Sequence, residues 1–406
     1  MGDQRPGQSE DRLPSLSGVS FSKKEATISF LLLRLSPICC YSSPMSVLPL
    51  LFLGLGALQA DPGVQGAPAI NGPVTIERRS GLMGTALRLS VTAADRPTAL
   101  AASEAALVAL LAAQRRLSTW TEGGELSELN SAPLGAPQTL SPLLDRELTR
   151  CAHWWRATAG AFDPALAPLV AAWGLRGRGR LPASAELAAA REASTWQRGR
   201  LIEGTFTRNT HQPLLEEGAF GKGAGLAAAL LALEQTGAQA ALLDLGGQIA
   251  LHGPGERALH LADPVDRQRP VLELVMTGGS LATSGNSERS SARAAGIRGH
   301  ILDPRTGQPA ATTGSYTVWT PSPLDADCLS TALFVMGPAQ AWAWVQARRQ
   351  NQESSSTTNP VVELIILDWH GDKLRAVATP GFKGRLRALS HDIELTFPLD
   401  GEVPWK

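Results

Sequence analysis

Hydrophobic and polar positions along residues 74–395 follow two different periods, and together they predict a mixture of strands and helices. Alternating apolar positions predict strands at 74–79 and 86–91, joined by a glycine-rich turn. Apolar positions that recur on one helical face predict helices at 97–116 and 141–158. Further strands are predicted at 240–251 (interrupted by Gly246-Gly247), in two runs within 257–276, and at 316–320, 361–367 and 374–378. Further helices are predicted up to about residue 237, over 332–336 and at 339–348.

These elements show no regular βαβ alternation, which favours an α+β fold, with mixed sheets and packed helices, over a doubly wound sheet. The small-residue stretch 277–289 is predicted to be a loop. Residues 175–200 are rich in Arg and Gly and then in Ala, and we interpret them as a surface excursion.

The first seventy residues have a different pattern from the rest. Residues 1–44 lack periodicity and are interpreted as a translated upstream leader or a disordered tail. Residues 45–60 form an apolar run that is too short to span a bilayer comfortably and is typical of a signal peptide, with Met45 as the true start. Residues 61–73 form a Gly/Pro/Ala linker. This organisation predicts a periplasmic or exported protein, with at most peripheral membrane association. The alternative is a disordered tail with a chance apolar patch.

Composition places the chain among globular proteins and excludes some partners. Its 406 residues are 43% hydrophobic and 18% charged, with a formal net charge of zero. Lys and Arg are scattered, so no nucleic-acid partner is indicated. The four cysteines, of which Cys39 and Cys40 are adjacent and Cys151 and Cys328 stand apart, form neither a disulfide framework nor a metal knuckle.

The stretch 322–337 carries the strongest candidate chemistry. Asp325 and Asp327 precede an apolar, helix-like run that stops at Gly337-Pro338. Asp327 and Thr331 are four residues apart, so on a helix they share one face. A carboxylate and a hydroxyl at that spacing suit a hard cation such as Mg²⁺. The alternative is an aspartate N-cap with a threonine that bonds back to its own turn.

Two other stretches are candidates for phosphate or proton chemistry. Glycines surround Lys222 just before a predicted helix, where backbone N–H groups favour phosphate, although the spacing is not that of a P-loop. The alternative there is an ordinary helix-packing turn. His300 precedes a D-P-R-T-G turn, in which Asp303 and Arg305 are interpreted as structural. A histidine at this place is a candidate proton acceptor near neutral pH.

Eight sequence blocks occur in one order and carry a resemblance. They are L-M-G-T (82–85), L-S-T-W…S-E-L-x-x-L-N (117–130), G-A-F-D-P…P-L-V…W-G (160–174), G-A-F-G-K-G (218–223), D-L-G-G (244–247), A-T-S-G (282–285), G-H-I-L-D-P-R-T-G (299–307) and D-A-D-C-L-S-T-A-L-F-V-M-G (325–337). In this order they resemble the ApbE family of flavin transferases over about residues 70–395. The resemblance implies an ApbE-like (T-fold-like) catalytic domain over residues 74–395.

The same resemblance implies a reaction and roles for particular residues. The family cleaves the pyrophosphate of FAD with Mg²⁺, attaches FMN through a phosphoester to a threonine of an acceptor flavoprotein, and releases AMP. It implies Mg²⁺ ligands at Asp327, Thr331 and the backbone carbonyl of Ala219, with Asp325 supporting the metal and His300 accepting the threonine proton. It implies FAD contacts at Met83, Trp120, Ala161, Phe162, Asp163, Glu216, Lys222 and the backbone of Ile301.

Three departures from the family pattern remove none of these expected ligands. Glu216 replaces an aspartate, Ala165 lacks a hydroxyl, and Cys328 replaces a smaller residue as inert packing. Two alternatives stay open from the sequence: a FAD pyrophosphatase, in which water is the nucleophile and FMN and AMP are the products, and a flavin-binding protein without turnover.

Overall fold

The computed structural model describes residues 72–286, 299–354, 360–399 and 401–405, with side chains from 352 to 354 excepted. The chain divides between Ala67 and Pro68, and all of the described residues lie in the second unit, Pro68–Lys406. The predicted leader (1–44) and signal peptide (45–60), and all of the predicted linker (61–73) except its last two residues, lie outside the described residues. The two adjacent cysteines, Cys39 and Cys40, lie outside them as well.

The described part of the second unit is a mixture of strands and helices, as the sequence predicts. Its strands are β1 (Val74–Leu82), β2 (Thr85–Ala93), β3 (Pro137–Thr139), β4 (Gly199–Ile202), β5 (Thr205–Arg208), β6 (Ala240–Leu245), β7 (Gln248–His252), β8 (Arg257–Ala262), β9 (Pro270–Met276), β10 (Gly279–Gly285), β11 (Ser315–Thr320), β12 (Glu363–His370), β13 (Lys373–Ala378), β14 (Leu386–Ala388) and β15 (Ile393–Thr396). Its α-helices are α1 (Arg96–Leu117), α2 (Glu125–Ser131), α3 (Pro142–Ala157), α4 (Ala167–Ala172), α5 (Ser184–Ala193), α6 (Gly221–Gln235), α7 (Pro323–Met336) and α8 (Pro338–Ser354).

A nine-stranded sheet forms the centre, in the order β1-β2-β6-β7-β10-β11-β12-β13-β15. Neighbouring strands are antiparallel except β13 and β15, which are parallel, so the sheet is mixed. Two three-stranded sheets accompany it, β14-β9-β8 and β3-β5-β4. The α+β class is therefore confirmed.

The central sheet is covered on both faces at strand β12. Leu364 and Ile366 of β12 belong to a core shared with the helices. Ile365 and Leu367, which alternate with them, belong to a core shared with β8, β9 and β14. Successive side chains of a strand point to opposite faces, so burial on both sides accounts for the continuous apolar run of β12.

Helices α6 and α7 pack against each other and carry several of the candidate site residues. Helix α7 has buried residues around almost its whole circumference, which is the pattern of a core helix. It packs against α6, β10 and β11.

Helix α1 is long and apolar enough to span a membrane by length and composition alone. Its buried alanines and leucines instead pack against β1, β2 and α6, as in the core of a globular domain.

Two sequence predictions about local structure are wrong. Residues 240–251 form the two strands of a hairpin, β6 and β7, because Gly246 and Gly247 both adopt positive φ in the turn between them. Part of the predicted loop 277–289 is strand β10, paired with β7 and β11. Pairing on both sides overrides the weak strand propensity of its small residues. A Cβ on Gly279 would lie 2.5 Å from Nε1 of Trp319, so a larger residue has no room there.

Candidate active site

The carboxylate of Asp327 lies where the first turns of α6 and α7 meet. Its side chain is almost fully buried, at 3% exposure. Oδ2 accepts a hydrogen bond from the backbone N–H of Gly223 at 2.8 Å, and Oδ1 accepts one from the ammonium of Lys222 at 3.2 Å. A buried charge needs a partner of opposite sign and satisfied hydrogen bonds, and both come from the N-terminal turn of α6.

Gly223 makes this meeting possible by its lack of a side chain. A Cβ built on it would lie 2.4 Å from the carbonyl oxygen of Pro323 and 2.8 Å from Cβ of Asp327. The glycine therefore lets the backbone of α6 approach the first turn of α7. The alternative reading of 218–225 as a helix-packing turn is correct for Gly223, and the same approach supplies the N–H that binds Asp327.

Two hydroxyl groups lie about one turn further along α7, and a third lies beside them on β10. Asp327 and Thr331 are on the same helix, one turn apart, as predicted. Oγ of Ser284, on β10, lies 3.0 Å from Oγ of Ser330 and 3.5 Å from Oγ1 of Thr331. A carboxylate with nearby hydroxyls is a set of hard oxygen donors, so the residues present fit Mg²⁺. Each carboxylate oxygen of Asp327 keeps a second acceptor position for it.

Softer metal ligands do not compete at this place. No group of three His, Cys, Asp or Glu residues that could hold a metal occurs within the described ranges. Cys328, beside Asp327, is buried against the thiol of Cys151, and burial raises its pKa well above the usual value. The thiol is therefore protonated and is not a thiolate ligand. The prediction that Cys328 is inert packing agrees with this burial.

Asp325 joins α3 and α7, and its predicted support of a metal stays a prediction. Its carboxylate accepts two hydrogen bonds from Arg150 of α3, at 2.5 and 2.8 Å, and a third from Nε1 of Trp154 at 2.7 Å. Neither aspartate caps α7. The N-cap is Ser322, whose hydroxyl accepts from the backbone N–H of Asp325, so the aspartate N-cap alternative is wrong.

Met83 occupies the turn between β1 and β2. It has a left-handed φ of 50°, which is uncommon for a side chain of this size. Its backbone N–H donates to Oε1 of Gln114 on α1 at 2.6 Å. A Cβ on Gly225 of α6 would lie 2.9 Å from Cε of Met83, so the methionine packs directly on that helix.

The three predicted FAD contacts at 161–163 are buried in the core. Ala161 and Phe162 are each 1% exposed. The oxygens of Asp163 accept from the backbone N–H groups of Ala165 and Trp196, at 2.8 and 3.0 Å. Burial raises the pKa of Asp163 to about 7, against these donors, which lower it. The FAD contacts expected at these three residues stay a prediction.

Arg176 contacts both Trp120 and Glu216 and so connects them. The guanidinium of Arg176 donates to Oε2 of Glu216 at 2.6 Å and to Oγ1 of Thr119 at 2.5 Å. Its central carbon lies 5.0 Å from the centre of the Trp120 ring, and Trp120 as a whole is 55% exposed. Thr119 also donates to Glu217 at 2.5 Å.

His300 and Ile301 lie at the start of the turn 301–310 and are both half-buried. The carbonyl of Ile301 accepts from the backbone N–H of Ala310 at 2.8 Å. Asp303 and Arg305 form an ion pair within the turn, in keeping with the structural role predicted for them. The role of His300 as proton acceptor stays a prediction.

Residues 216–225 bring several of the predicted positions together. Glu216 accepts from Arg176, Lys222 and Gly223 hold Asp327, and Gly225 packs on Met83. Ala219 ends the short 3₁₀ turn just before α6. Sequence reasoning missed Arg150, Gln114 and Arg176, because each acts on a residue more than thirty positions away and no local pattern marks it.

Comparisons with known proteins agree with this arrangement. The family model described as the ApbE family matches residues 83–354. A FAD:protein FMN transferase of Klebsiella pneumoniae (strain 342) is 32% identical over 274 residues, which is 64% of this chain and 78% of the relative. One of Salmonella typhimurium is 30% identical, over 71% of this chain and 85% of the relative.

Solved structures show the same fold. The flavin transferase ApbE of Vibrio cholerae superposes with a TM-score of 0.64 at 23% identity, covering 77% of this chain and 99% of that one. The ApbE protein of Thermotoga maritima gives a TM-score of 0.63 at 23% identity, covering 72% and 94%.

Proposed function

This chain belongs to the ApbE family, and from that premise we propose that it is an FAD:protein FMN transferase. The proposal is supported by the names of its relatives and by one structural observation. That observation is the buried carboxylate of Asp327, held between the ammonium of Lys222 and the N–H of Gly223 at the start of a helix. A positive helix end, a lysine and a buried carboxylate are together suited to a pyrophosphate and a divalent cation.

The proposed metal is Mg²⁺, held by Asp327, by the hydroxyl of Thr331 and by the backbone carbonyl of Ala219. The donor set supports this, because all three groups offer hard oxygen atoms. When bound, Mg²⁺ would draw negative charge from the pyrophosphate oxygens of FAD. The proposed catalytic pair is therefore Asp327, which binds the cation, and His300.

The proposed nucleophile is the hydroxyl of a threonine on an acceptor flavoprotein. Its oxygen forms a bond to the phosphorus that carries the flavin side of FAD, and the bond from that phosphorus to the bridging oxygen breaks. AMP leaves, and His300 accepts the threonine proton. Lys222 offers positive charge to the phosphates, while Met83, Trp120, Glu216 and the backbone of Ile301 orient FAD, backed by Ala161, Phe162 and Asp163.

The test is incubation with FAD, Mg²⁺ and a candidate acceptor domain, followed by intact-mass measurement. A mass gain of one FMN on the acceptor, absent when its target threonine is changed to valine, is the expected result. Release of FMN and AMP without any labelled acceptor would replace the proposal with FAD pyrophosphatase. Binding of FAD without either product would leave a flavin-binding protein.

Two variants separate the metal from the nucleotide. Asp327→Asn is expected to abolish Mg²⁺-dependent transfer and to weaken Mn²⁺ binding measured by electron paramagnetic resonance, while FAD still binds. Asp372→Asn, in the exposed turn between β12 and β13, removes the same charge away from the site and is the matched control. Transfer by Asp327→Asn at the rate of the control would contradict the metal assignment.

The role of His300 has its own measurement. His300→Ala is expected to slow transfer far more than it weakens FAD binding, because the histidine acts on the proton and not on the nucleotide. An unchanged transfer rate would assign the proton to another group.

We further propose that the protein acts outside the cytoplasm, after export by the apolar run at 45–60. N-terminal sequencing of the exported protein is expected to find a start close to residue 61. A start well away from that position would contradict the signal-peptide interpretation.

A further inference from the structure

Arg176 lies outside the eight sequence blocks and connects several polar groups beside Trp120. Its guanidinium donates to the backbone carbonyl of Thr119 at 2.6 Å, to the hydroxyl of Thr119 at 2.5 Å and to Glu216 at 2.6 Å. It also lies over the ring of Trp120, 5.0 Å from its centre. One side chain thus contacts two separate chain segments, 119–120 and 216.

A planar guanidinium is suited to this combination of contacts. Its donors lie in one plane and reach several acceptors at once, while its face covers an aromatic ring. A single exposed ion pair contributes little, and the Arg176 side chain is 35% exposed. Arg176 makes all of these contacts at once, and it thereby fixes Thr119, Trp120 and Glu216 relative to one another.

We propose that Arg176 is a positioning residue that holds Trp120 and Glu216 in the geometry that receives FAD. The guanidinium lies over the Trp120 ring, and the residue stays 55% exposed, so part of its surface is open to the planar ring of a ligand. The same guanidinium donates to the carboxylate of Glu216 at 2.6 Å, and this hydrogen bond restricts the directions in which the carboxylate can point. This inference rests on the proposed function, since Trp120 and Glu216 are FAD contacts only within it.

The first experiment measures FAD affinity by calorimetry and transfer kinetics at varied FAD concentration. Arg176→Ala is expected to weaken FAD binding and to raise KM for FAD about tenfold. Its kcat at saturating FAD should stay within about twofold, because the metal and the proton acceptor are untouched. Arg178→Ala removes the same charge two residues away and is expected to change affinity less than twofold.

A conservative variant tests the planar geometry. Arg176→Lys keeps the charge and loses the fork and the stacking face, and it is expected to keep most of the affinity loss of Arg176→Ala. Full recovery of FAD affinity by lysine would overturn the proposal, because charge alone would then suffice.

A double-mutant cycle separates positioning from direct contact with the nucleotide. If Arg176 acts through Trp120, Arg176→Ala should weaken FAD binding much less in a Trp120→Leu background than in the wild type. Independent effects, in which the two fold-changes multiply, both in this background and in a Glu216→Gln background would overturn the proposal and make Arg176 a direct ligand of FAD. Equal affinities of Arg176→Ala and Arg178→Ala would also overturn it.

The outcomes for the proposed function are distinct. If the wild-type protein binds no FAD and transfers no FMN, the proposed function fails before any variant is compared. If the wild type binds FAD and transfers FMN while Arg176→Ala matches the Arg178→Ala control, only the positioning role fails. The positioning role would also be contradicted if a lower melting temperature of Arg176→Ala accounted for its loss of activity at every FAD concentration.

Discussion

Gly223 is the residue whose replacement tests the contact between α6 and α7 most directly. In an isolated helix, alanine is more favourable than glycine by about 1 kcal/mol. Gly223 has an ordinary helical backbone, so Gly223→Ala introduces no strain in φ. Any loss of stability must therefore come from the packing of the new Cβ against α7.

The size of that loss follows from the distances. The new Cβ would lie 2.4 Å from the carbonyl oxygen of Pro323, which is 1.0 Å inside the 3.4 Å lower limit of ordinary contact. It would also lie 2.8 Å from Cα of Leu324. These are backbone atoms and cannot turn aside. Overpacking of this kind costs about 1–3 kcal/mol, and with the helix-propensity gain subtracted from the upper end we expect a net loss of about 2 kcal/mol.

Two nearby glycines are matched controls for Gly223→Ala. A Cβ on Gly218 meets nothing within 4 Å, and Gly218→Ala should change the free energy of unfolding by less than about 0.5 kcal/mol. A Cβ on Gly225 meets the flexible end of Met83, which can move, so Gly225→Ala should cost less than Gly223→Ala.

The assay combines thermal unfolding, urea unfolding and FMN transfer. For Gly223→Ala we expect a melting temperature lower by about 3–5 °C and a transfer rate that falls further than the stability loss explains. The second effect follows because separating the helices lengthens the hydrogen bond from the Gly223 N–H to Asp327. An alanine variant that melts at or above the wild-type temperature and transfers FMN at the wild-type rate would refute the close approach.

Three further outcomes follow from buried groups. Asp325→Ala should lower the free energy of unfolding by about 2–4 kcal/mol in urea titrations, because it leaves Arg150 without the carboxylate that it pairs with. A loss below about 1 kcal/mol would contradict a stabilising role of the Arg150–Asp325 pair. Burial raises the pKa of Glu147 to about 7. Between about pH 4.5 and 7 the folded protein therefore keeps the Glu147 proton while the unfolded chain has lost it, so the free energy of unfolding declines as the pH rises through this range. Glu147→Gln should therefore gain melting temperature relative to the wild type from pH 5 to pH 8, and a constant difference would contradict the shift. Peptide mapping after maleimide treatment should find Cys151 and Cys328 labelled only when the protein is unfolded, and labelling in the native protein would contradict their burial.

Local periodicity made much of the fold readable. The β1–β2 hairpin and helix α1 extend at most three residues beyond their predicted bounds, because alternating or helical apolar positions are a property of adjacent residues. The same local logic placed Asp327 and Thr331 on one helix. Strand β10 was missed because its small residues have weak strand propensity, and only pairing with β7 and β11 makes it a strand.

Contacts between distant segments of the chain could not be predicted from the sequence. Asp325 is bound by Arg150, 175 positions earlier, and Glu216 by Arg176, 40 positions earlier. An arginine carries no sign of its partner in its own neighbours, and many arginines in a chain of this composition are solvated. Blocks of family sequence located the positions expected to touch FAD, but Arg176 lies outside every block.

The burial of α7 explains why its aspartate comes with partners already in place. A helix that is apolar around its circumference packs on all sides, and a carboxylate within it loses its hydration. Such a charge is tolerated only if fixed donors replace the water, and the N–H of Gly223 and the ammonium of Lys222 are those donors. The geometry at Asp327 is therefore set by folding, before any ligand arrives. In the proposed FMN transfer, preorganised charge of this kind would require no rearrangement during the reaction, and phosphoryl transfer depends on such fixed charges.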